Sequence, residues 1–397
     1  MKIRIKNNRF LPLPLLAFLV LYIMYSLADF STSNQTGFRF FDRSDTHTYT
    51  LLITIFLFFY LAFHLRKIKL SRVLIGLLCI AAWTVLVNCL MGVSRWTVLV
   101  QTNMSVVWIF SYLFFESVRS SENTERSKID TFSLLLLIFF LGVMVYYFFD
   151  MMRRIGRFPV LTMAYYVLAI VPWVFPRFSK NKNLFFVVIV SMALLSMKRG
   201  AIVAVLFMVL TDRFIDMRQS RCTRRRFIAD AIFVVCIIAA LLIVENKTGG
   251  SLSKRFAVEE LASGSGRREQ LLSVIEELRT REIGQLLIGV GCERCVNIYG
   301  TGIHNEWLAF LYNYGVIGLL LYAYLFFAMT KVCVEVPKMV PRFTSSAYMM
   351  LVLYFVLSMV SAAYGAYWGM WLFGLWGYLS AEIRANKERG GVNEYLR

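Results

Sequence analysis

Residues 131–151 read TFSLLLLIFFLGVMVYYFFDM, an apolar run whose first charged residue is Asp150. About 20 apolar residues are enough for a helix to cross the hydrocarbon core of a bilayer. Similar runs recur along the chain, so that 58% of the 397 residues are hydrophobic and only 17% are charged. This composition excludes a soluble enzyme, a disordered chain and a secreted disulfide scaffold. It predicts an all-α, polytopic membrane protein, with residues 1–397 forming a single integral membrane domain.

Apolar runs bounded by charged or turn residues predict about 12 transmembrane helices. The seventh and eighth runs are short and are separated only by Lys198-Arg199-Gly200. A tight turn is expected there, because one continuous helix would place two cations at mid-bilayer, at about 2.5 to 3.5 kcal/mol each. The predicted helices are 10–28, 49–65, 71–92, 97–117, 131–151, 158–175, 184–197, 200–211, 227–244, 307–330, 345–363 and 366–383.

The distribution of Lys and Arg predicts the orientation of these helices. If the N-terminus is inside, the inner loops and termini hold 27 of the 43 Lys and Arg residues. Both termini are therefore predicted to be cytoplasmic, and the long loop 245–306 between helices 9 and 10 is predicted to lie outside. The net charge of +19 and the Arg cluster at 224–226 are interpreted as contacts with lipid headgroups, not with nucleic acid.

The predicted span interiors contain almost no ionisable residues. Ion-coupled transporters usually carry titratable groups near the middle of the membrane, where the substrate is held. The sequence therefore argues against a transporter and directs attention to the loop 245–306, which is the only extramembrane segment large enough to build a site.

Two segments of this loop have a predicted structure. Residues 267–283 form an amphipathic helix with Leu271, Ile275 and Leu278 on one stripe, lying on the membrane or against the spans. Cys292 and Cys295 form a lone CxxC motif without a second pair or a histidine at zinc spacing, which favours a structural disulfide over a metal site.

His304 lies where the loop re-enters the membrane, and the glycines at 300 and 302 are expected to bring it to the headgroup level. Its near-neutral pKa suits it to deprotonate a hydroxyl at a water–lipid boundary. The alternative is a histidine that caps or anchors the start of a helix. Glu306 likewise has a structural alternative, because a carboxylate is favourable in the first turn of a helix.

Several cations lie on the predicted outer side, where short loops normally avoid them. Arginine binds phosphate through two parallel hydrogen bonds, so a group of arginines on one face suits a lipid-linked phosphate or diphosphate. For each residue the alternative is a solvated charge or a contact with a lipid headgroup. The cations proposed for the site are Lys198, Arg199, Arg267 and Arg268.

The order of short motifs in the C-terminal half resembles the O-antigen ligase/polymerase family of bacterial membrane glycosyltransferases. The resemblance covers about Met197 to Leu320, whereas the N-terminal half matches only as a count of hydrophobic spans. The motifs are, in order, Lys198-Arg199-Gly200, Ser265-Gly266-Arg267, the Gly-Val-Gly of 289–291, His304-Asn305 and Tyr314-Gly315 followed by Gly318.

The resemblance implies an all-helical glycosyltransferase of the C superfamily at the periplasmic face of the bacterial inner membrane. Its donor would be a glycan linked to undecaprenyl diphosphate, and neither a metal nor another cofactor is expected. By motif, Arg199 and Arg267 would hold the diphosphate and His304 would activate the acceptor hydroxyl. The other site residues proposed are Glu306 as a second catalytic group, Lys198 and Arg268 beside the diphosphate, and Asn305, Gly266 and Gly302 in support.

Four functions are weighed. The favoured one is an O-antigen or capsular polysaccharide polymerase, which transfers a lipid-linked chain onto a lipid-linked repeat unit. A ligase would use the same chemistry with lipid A-core or a protein as acceptor. A flippase for lipid-linked oligosaccharides and a purely structural membrane protein are less favoured. The expected partners are the lipid-linked oligosaccharide, the lipid membrane and, from the family only, a chain-length regulator protein.

Overall fold

A computed structural model of the chain describes residues 11–33, 43–64, 69–120, 126–155, 160–218, 267–299, 302–361 and 368–395, with isolated positions between 232 and 246. Of the described residues, 89% are helical and none lies in a strand, which confirms the all-α prediction for this part of the chain. The helices are α1 (Leu13–Ser33), α2 (Arg43–His64), α3 (Arg72–Leu90), α4 (Arg95–Ser120), α5 (Arg126–Ile155), α6 (Ala164–Phe178), α7 (Lys182–Leu195), α8 (Arg199–Arg218), α9 (Arg267–Thr280), α10 (Ile283–Ile288), α11 (Glu293–Tyr299), α12 (Glu306–Met339), α13 (Thr344–Val360) and α14 (Gly369–Tyr395).

Six stretches are long and apolar enough to cross a membrane, as judged by length and composition. They lie in α2, α3, α4, α5, α12 and the segment that ends with α13. Shorter apolar helices occur in α1, α6 and α7. The total of about 12 spans and their orientation stay predictions, and most of the predicted ninth span, 227–244, lies outside the described residues.

The predicted turn between the seventh and eighth spans is confirmed. Helix α7 ends at Leu195, and Met197 adopts a positive φ of 51° before α8 begins at Arg199. At the opposite end of this helical hairpin, Lys182 of α7 contacts Asp212 of α8 at 2.8 Å between Nζ and Oδ2. The two helices therefore run antiparallel, with the cations of the turn at the end of the hairpin opposite Lys182.

The described ion pairs between helices of the bundle gather at one of its ends, which we call the ion-pair end. Arg119 Nε of α4 lies 2.8 Å from Glu382 Oε1 of α14, and Arg384 of α14 pairs with Glu116 of α4. The Glu116 side chain is fully buried and that of Glu382 is 5% exposed. Further pairs at this end join Lys182 to Asp212 and Asp216, Arg342 to Asp130, Lys387 to Glu335 and Lys69 to Glu388.

The Glu116→Gln variant is expected to lower the free energy of unfolding by about 3 kcal/mol, because it leaves a partly buried guanidinium at Arg384 without its partner. The matched control is Glu388→Gln, whose pair with Lys69 is two-thirds exposed on both sides and adds little to stability. Thermal unfolding in detergent should separate the two variants. Equal midpoints would show that the buried pair adds no stability.

Helix α14 lies at the centre of the bundle against α4. Its Gly377 comes so close to α4 that a Cβ atom there would overlap the carbonyl of Tyr112, and a Cβ on Gly374 would overlap the Phe115 ring. Small residues allow such close approach of membrane helices. Trp371 and Trp376 are 1% and 0% exposed and pack in the core.

Helix α12 is a hairpin of two arms, 306–314 and 316–339, and not the single straight span that was predicted. Gly315 at the bend has φ 67° and ψ −171°. Trp307 of the first arm packs on Phe326 of the second with ring centroids 5.0 Å apart, and Phe310 stacks on Tyr322 at 4.4 Å. In a straight helix residues 307 and 326 would be about 28 Å apart. The first arm therefore folds back along the second.

Carbonyl groups at the end of the first arm receive hydrogen bonds from three other segments. The Tyr312 oxygen accepts from Arg281 Nη1 at 2.8 Å, and the Tyr314 oxygen accepts from Trp83 Nε1 of α3 at 2.9 Å. The Asn313 oxygen accepts from the backbone N–H groups of residues 290 and 291, at 3.1 and 2.9 Å. The last carbonyls of a helix have no partner within the helix, and leaving them unpaired in an apolar interior is costly.

Gly315→Ala is expected to lower the free energy of unfolding by more than about 1–2 kcal/mol. A side chain adds the penalty of a left-handed backbone, and its Cβ atom would also overlap the Leu287 carbonyl. Gly142→Ala on α5 is the matched control, because a Cβ there meets open space and alanine favours a helix. Thermal unfolding of both purified variants tests this, and a stability of Gly315→Ala equal to that of Gly142→Ala would contradict it.

Candidate functional site

The loop that carries His304 is held by Asn305 at the start of α12. Asn305 Oδ1 accepts a hydrogen bond from the Leu308 N–H at 3.0 Å, and Asn305 Nδ2 donates to the Met359 carbonyl of α13 at 3.3 Å. Asn305 is therefore the helix cap. His304, directly before it, is half-buried. The first arm of α12 starts level with Phe326, about 15 Å along the second arm from the bend.

The start of α8 meets the same end of α13. Gly200 lies so close to α13 that a Cβ atom there would be 3.1 Å from Val360 Cγ2, and it also abuts the Tyr165 hydroxyl. Lys198 Nζ lies 5.4 Å from the centre of the Tyr165 ring. Since Val360 directly follows the residue that binds Asn305, the Lys198-Arg199 turn and the His304 loop gather at one point of the bundle. We call this point the junction.

The first turn of α9 also reaches the junction. Gln270 Nε2 donates to the Gly302 carbonyl at 3.4 Å, so the start of α9 lies beside the loop that precedes His304. Arg267 is the first residue of α9, but its side chain lies outside the described residues, as does Gly266. The side chain of Arg268 is exposed. The structure thus places the backbone of the predicted arginine motif near His304.

Helix α9 is amphipathic as predicted and packs against the start of α12. Val274 is fully buried among Ile303, Cys295 and Tyr312, with Leu271 and Leu278 beside it. The predicted stripe was wrong in one member, because Ile275 is 39% exposed and Val274 takes its place. Both residues lie three or four positions from Leu271 and Leu278, so spacing alone did not distinguish them.

A polar cluster that sequence reasoning missed joins α9 to the first arm of α12. Tyr312 donates to Glu277 Oε2 at 2.6 Å, and Arg281 lies 3.1 Å from Glu277 Oε1 and 3.8 Å above the Tyr312 ring. Arg294 Nε is 3.1 Å from the same carboxylate. Partial burial raises the pKa of Glu277, but these hydrogen bonds and charges lower it further, so the pKa lies below its usual value. The i,i+4 spacing of Glu277 and Arg281 was the one signal in the sequence.

Glu306 occupies the first turn of α12, as the structural alternative predicts, and is 2% exposed. Its carboxylate faces the Tyr322 hydroxyl, which in turn faces Tyr354. The expectation that the bundle interior is nearly free of ionisable groups is therefore wrong at this position. It failed because the first arm of α12 folds back into the bundle and takes the charged start of the helix with it.

Cys292 and Cys295 are free thiols, so the predicted disulfide is wrong. Cys292 packs against the main core, with its N–H donating to Asn88 Oδ1 at 3.0 Å, whereas Cys295 is buried in the cluster around Val274. Burial, with the charge of Glu293 in the case of Cys292, raises the pKa of each thiol to about 11. Within the described part of the chain, no three His, Cys, Asp or Glu side chains are grouped closely enough to hold a metal ion.

Both thiols are expected to react slowly with iodoacetamide at pH 8, because a pKa of about 11 leaves them almost entirely protonated and the thiolate is the nucleophile. Mass spectrometry of the peptide that contains them, after alkylation of the native and then of the unfolded protein, measures this. Two new carbamidomethyl groups should appear only after unfolding without reductant. A requirement for reductant would reveal a disulfide instead.

A comparison of the chain with protein-family models finds no match, and a search of curated proteins finds no relative.

Proposed function

We propose that the protein is a membrane glycosyltransferase that polymerises lipid-linked glycans, as an O-antigen or capsular polysaccharide polymerase does. It would act at the periplasmic face of the bacterial inner membrane on glycans linked to undecaprenyl diphosphate. One observation carries the proposal: three sequence motifs that are far apart in the chain meet at the junction. They are the Lys198-Arg199 turn, the Arg267-Arg268 start of α9 and the His304-Asn305 loop.

The chemistry needs a base and fixed positive charge at one place, and the junction has residues of both kinds. The acceptor hydroxyl oxygen would attack the anomeric carbon of the donor sugar while its proton passes to the imidazole of His304. The bond between that carbon and the diphosphate oxygen breaks, and the diphosphate leaves with the electron pair. Arg199 and Arg267 would stabilise this leaving charge, with Lys198 and Arg268 adding positive potential.

The supporting residues hold this arrangement. Asn305 ties the His304 loop to α13, and the Gly302 carbonyl ties it to α9. Glu306 begins the helix two residues after His304 and, with its side chain 2% exposed, would be the second catalytic group. The hydrogen bonds of the loop thus limit the motion of the proposed base relative to the proposed arginines, which proximity catalysis requires.

The His304→Ala variant is expected to lose glycan polymer by at least 100-fold, because a general base contributes about 10²- to 10⁴-fold to a rate. Arg199→Gln and Arg267→Gln should lose a similar factor through the leaving group. The measurement is the glycan profile of cells that lack the chain and are complemented with each variant. A single repeat unit on lipid A-core identifies a polymerase, and polymer stranded on undecaprenyl diphosphate identifies a ligase.

Two variants of the same residue types serve as controls. His64 lies at the other end of α2, where its Nδ1 is 2.8 Å from the Tyr60 carbonyl, and Arg177 is exposed in the last turn of α6. His64→Ala and Arg177→Gln should give the normal polymer. A normal product from His304→Ala at normal protein levels would overturn the proposed function.

A further inference from the structure

A groove of about 1120 Å³ opens between α2, α4 and the turn that joins α3 to α4. It does not include the junction residues. Its wall is mainly apolar, and its charged and titratable groups lie at its rim, where α4 begins. The residues that matter for its chemistry are His47, Leu51, Cys89, Arg95, Leu99 and Val106.

The depth of the groove corresponds to one leaflet of a bilayer. From Arg95 to Val106 the lining extends about 16 Å along α4, roughly half of a hydrocarbon core of about 30 Å. Towards the lower end, Thr54 Oγ1 of α2 donates to Asn103 Oδ1 of α4 at 2.9 Å. Further down, Tyr60 packs on Phe114 with ring centroids 4.8 Å apart, so the two helices close beneath the groove.

The rim of the groove carries positive charge. Arg95 is exposed and has no ion-pair partner among the residues that the structure describes. Trp96 is 64% exposed, and its ring lies 6.0 Å from that of His47 in an edge-on contact. A tryptophan at this level is typical of the membrane interface, and an arginine there suits a phosphate group.

The carboxylate beside the rim is engaged by the residue that precedes Arg95. Glu293 Oε1 accepts from the Ser94 hydroxyl at 2.5 Å and Glu293 Oε2 from the Ser94 N–H at 3.1 Å, while Ser94 Oγ accepts from the Thr97 N–H at the start of α4 at 3.3 Å. Arg95 follows directly but points its charge to no described carboxylate. An anionic ligand outside the protein is a partner of complementary charge for it.

The groove adjoins the loop that supports the junction. Gly291 lies so close to the α3–α4 turn that a Cβ atom there would meet Val93 Cγ2, a side chain that also lines the groove. The N–H groups of 290 and 291 in the same loop cap the first arm of α12, whose start carries His304. The groove helices α2 and α4 pack on α1, α3 and α14, whereas α8 with Arg199 packs on α6, α7 and α13. The groove thus adjoins the end of the first arm of α12 that the 290–291 loop caps, whereas the cations of the junction lie near the start of that arm, beside the His304 loop.

We propose that the groove holds the prenyl chain of the lipid-linked acceptor, with its diphosphate at Arg95. This inference rests on the proposed function, because polymerisation needs two lipid diphosphates in the same leaflet and the Arg199 and Arg267 motifs serve only the donor. The ligand would be recognised by an apolar groove one leaflet deep and by the Arg95 guanidinium at its rim. A chain with an uncharged head would leave Arg95 without a partner.

Binding stoichiometry tests this without turnover. The full-length His304→Ala protein is placed in nanodiscs of phosphatidylethanolamine and phosphatidylglycerol, and undecaprenyl diphosphate is titrated with native mass spectrometry as the readout. Two bound molecules are expected. Leu99→Trp, which fills the groove from a position that is 60% exposed, should reduce the number to one. Arg95→Gln should weaken one of the two binding events about tenfold.

The matched controls are Leu135→Trp, at an exposed leucine of α5, and Arg153→Gln, at an exposed arginine near the end of the same helix. Both should keep two bound molecules. Two molecules bound to Leu99→Trp, or a second binding event that is lost as the share of phosphatidylglycerol in the nanodiscs is raised, would overturn the groove as the acceptor site. If the proposed function is wrong, the His304→Ala variant will still transfer glycan in cells. A drop from two bound molecules to one in Leu99→Trp would then still support the groove.

Discussion

The end of the protein that carries the 267–305 segment depends on one constraint. Three consecutive carbonyl groups, at residues 312 to 314, must all receive hydrogen bonds. The first arm of α12 ends there inside the bundle, where water cannot replace missing partners. Its donors come from Arg281, from the backbone at 290 and 291, and from Trp83 of α3. None of these segments can complete the site alone. The 281–291 segment, α3 and the α12 hairpin therefore form together, and the position of His304 follows from their assembly.

Charge is distributed unequally between the two ends of the bundle. At the ion-pair end, buried carboxylates of α4 and α14 are neutralised by arginines of the same two helices. At the other end, the carboxylates of Glu277 and Glu293 hold the 267–299 segment to α12 and α4. The Lys198-Arg199 turn and Arg95 at the groove rim also lie away from the ion-pair end.

Several elements could be predicted because their free energy depends mainly on residues that are close together in the sequence. The turn at Lys198-Arg199 was predictable because the two cations could not be placed in mid-bilayer. The helix that starts at Arg267 was predictable because Leu271 and Leu278 recur at helical spacing. Other features were missed because they depend on the direction in which the chain continues after a bend. Hydropathy counts apolar residues but does not show whether a helix reverses, so the hairpin at Gly315 was predicted as one span, and Glu306 was not recognised as a charge inside the bundle.

The amino-acid sequence by itself determined that this chain is a helical membrane protein, where most of its described helices lie, and which motifs are candidates for chemistry. Composition and the length of apolar runs suffice for this, because the cost of exposing apolar surface or burying charge is local. Only the tertiary structure decided that α12 folds back on itself, that Val274 and not Ile275 faces inward, and that Cys292 and Cys295 remain apart. These outcomes depend on contacts between segments far apart in the chain, and no local pattern records which partner a side chain will meet.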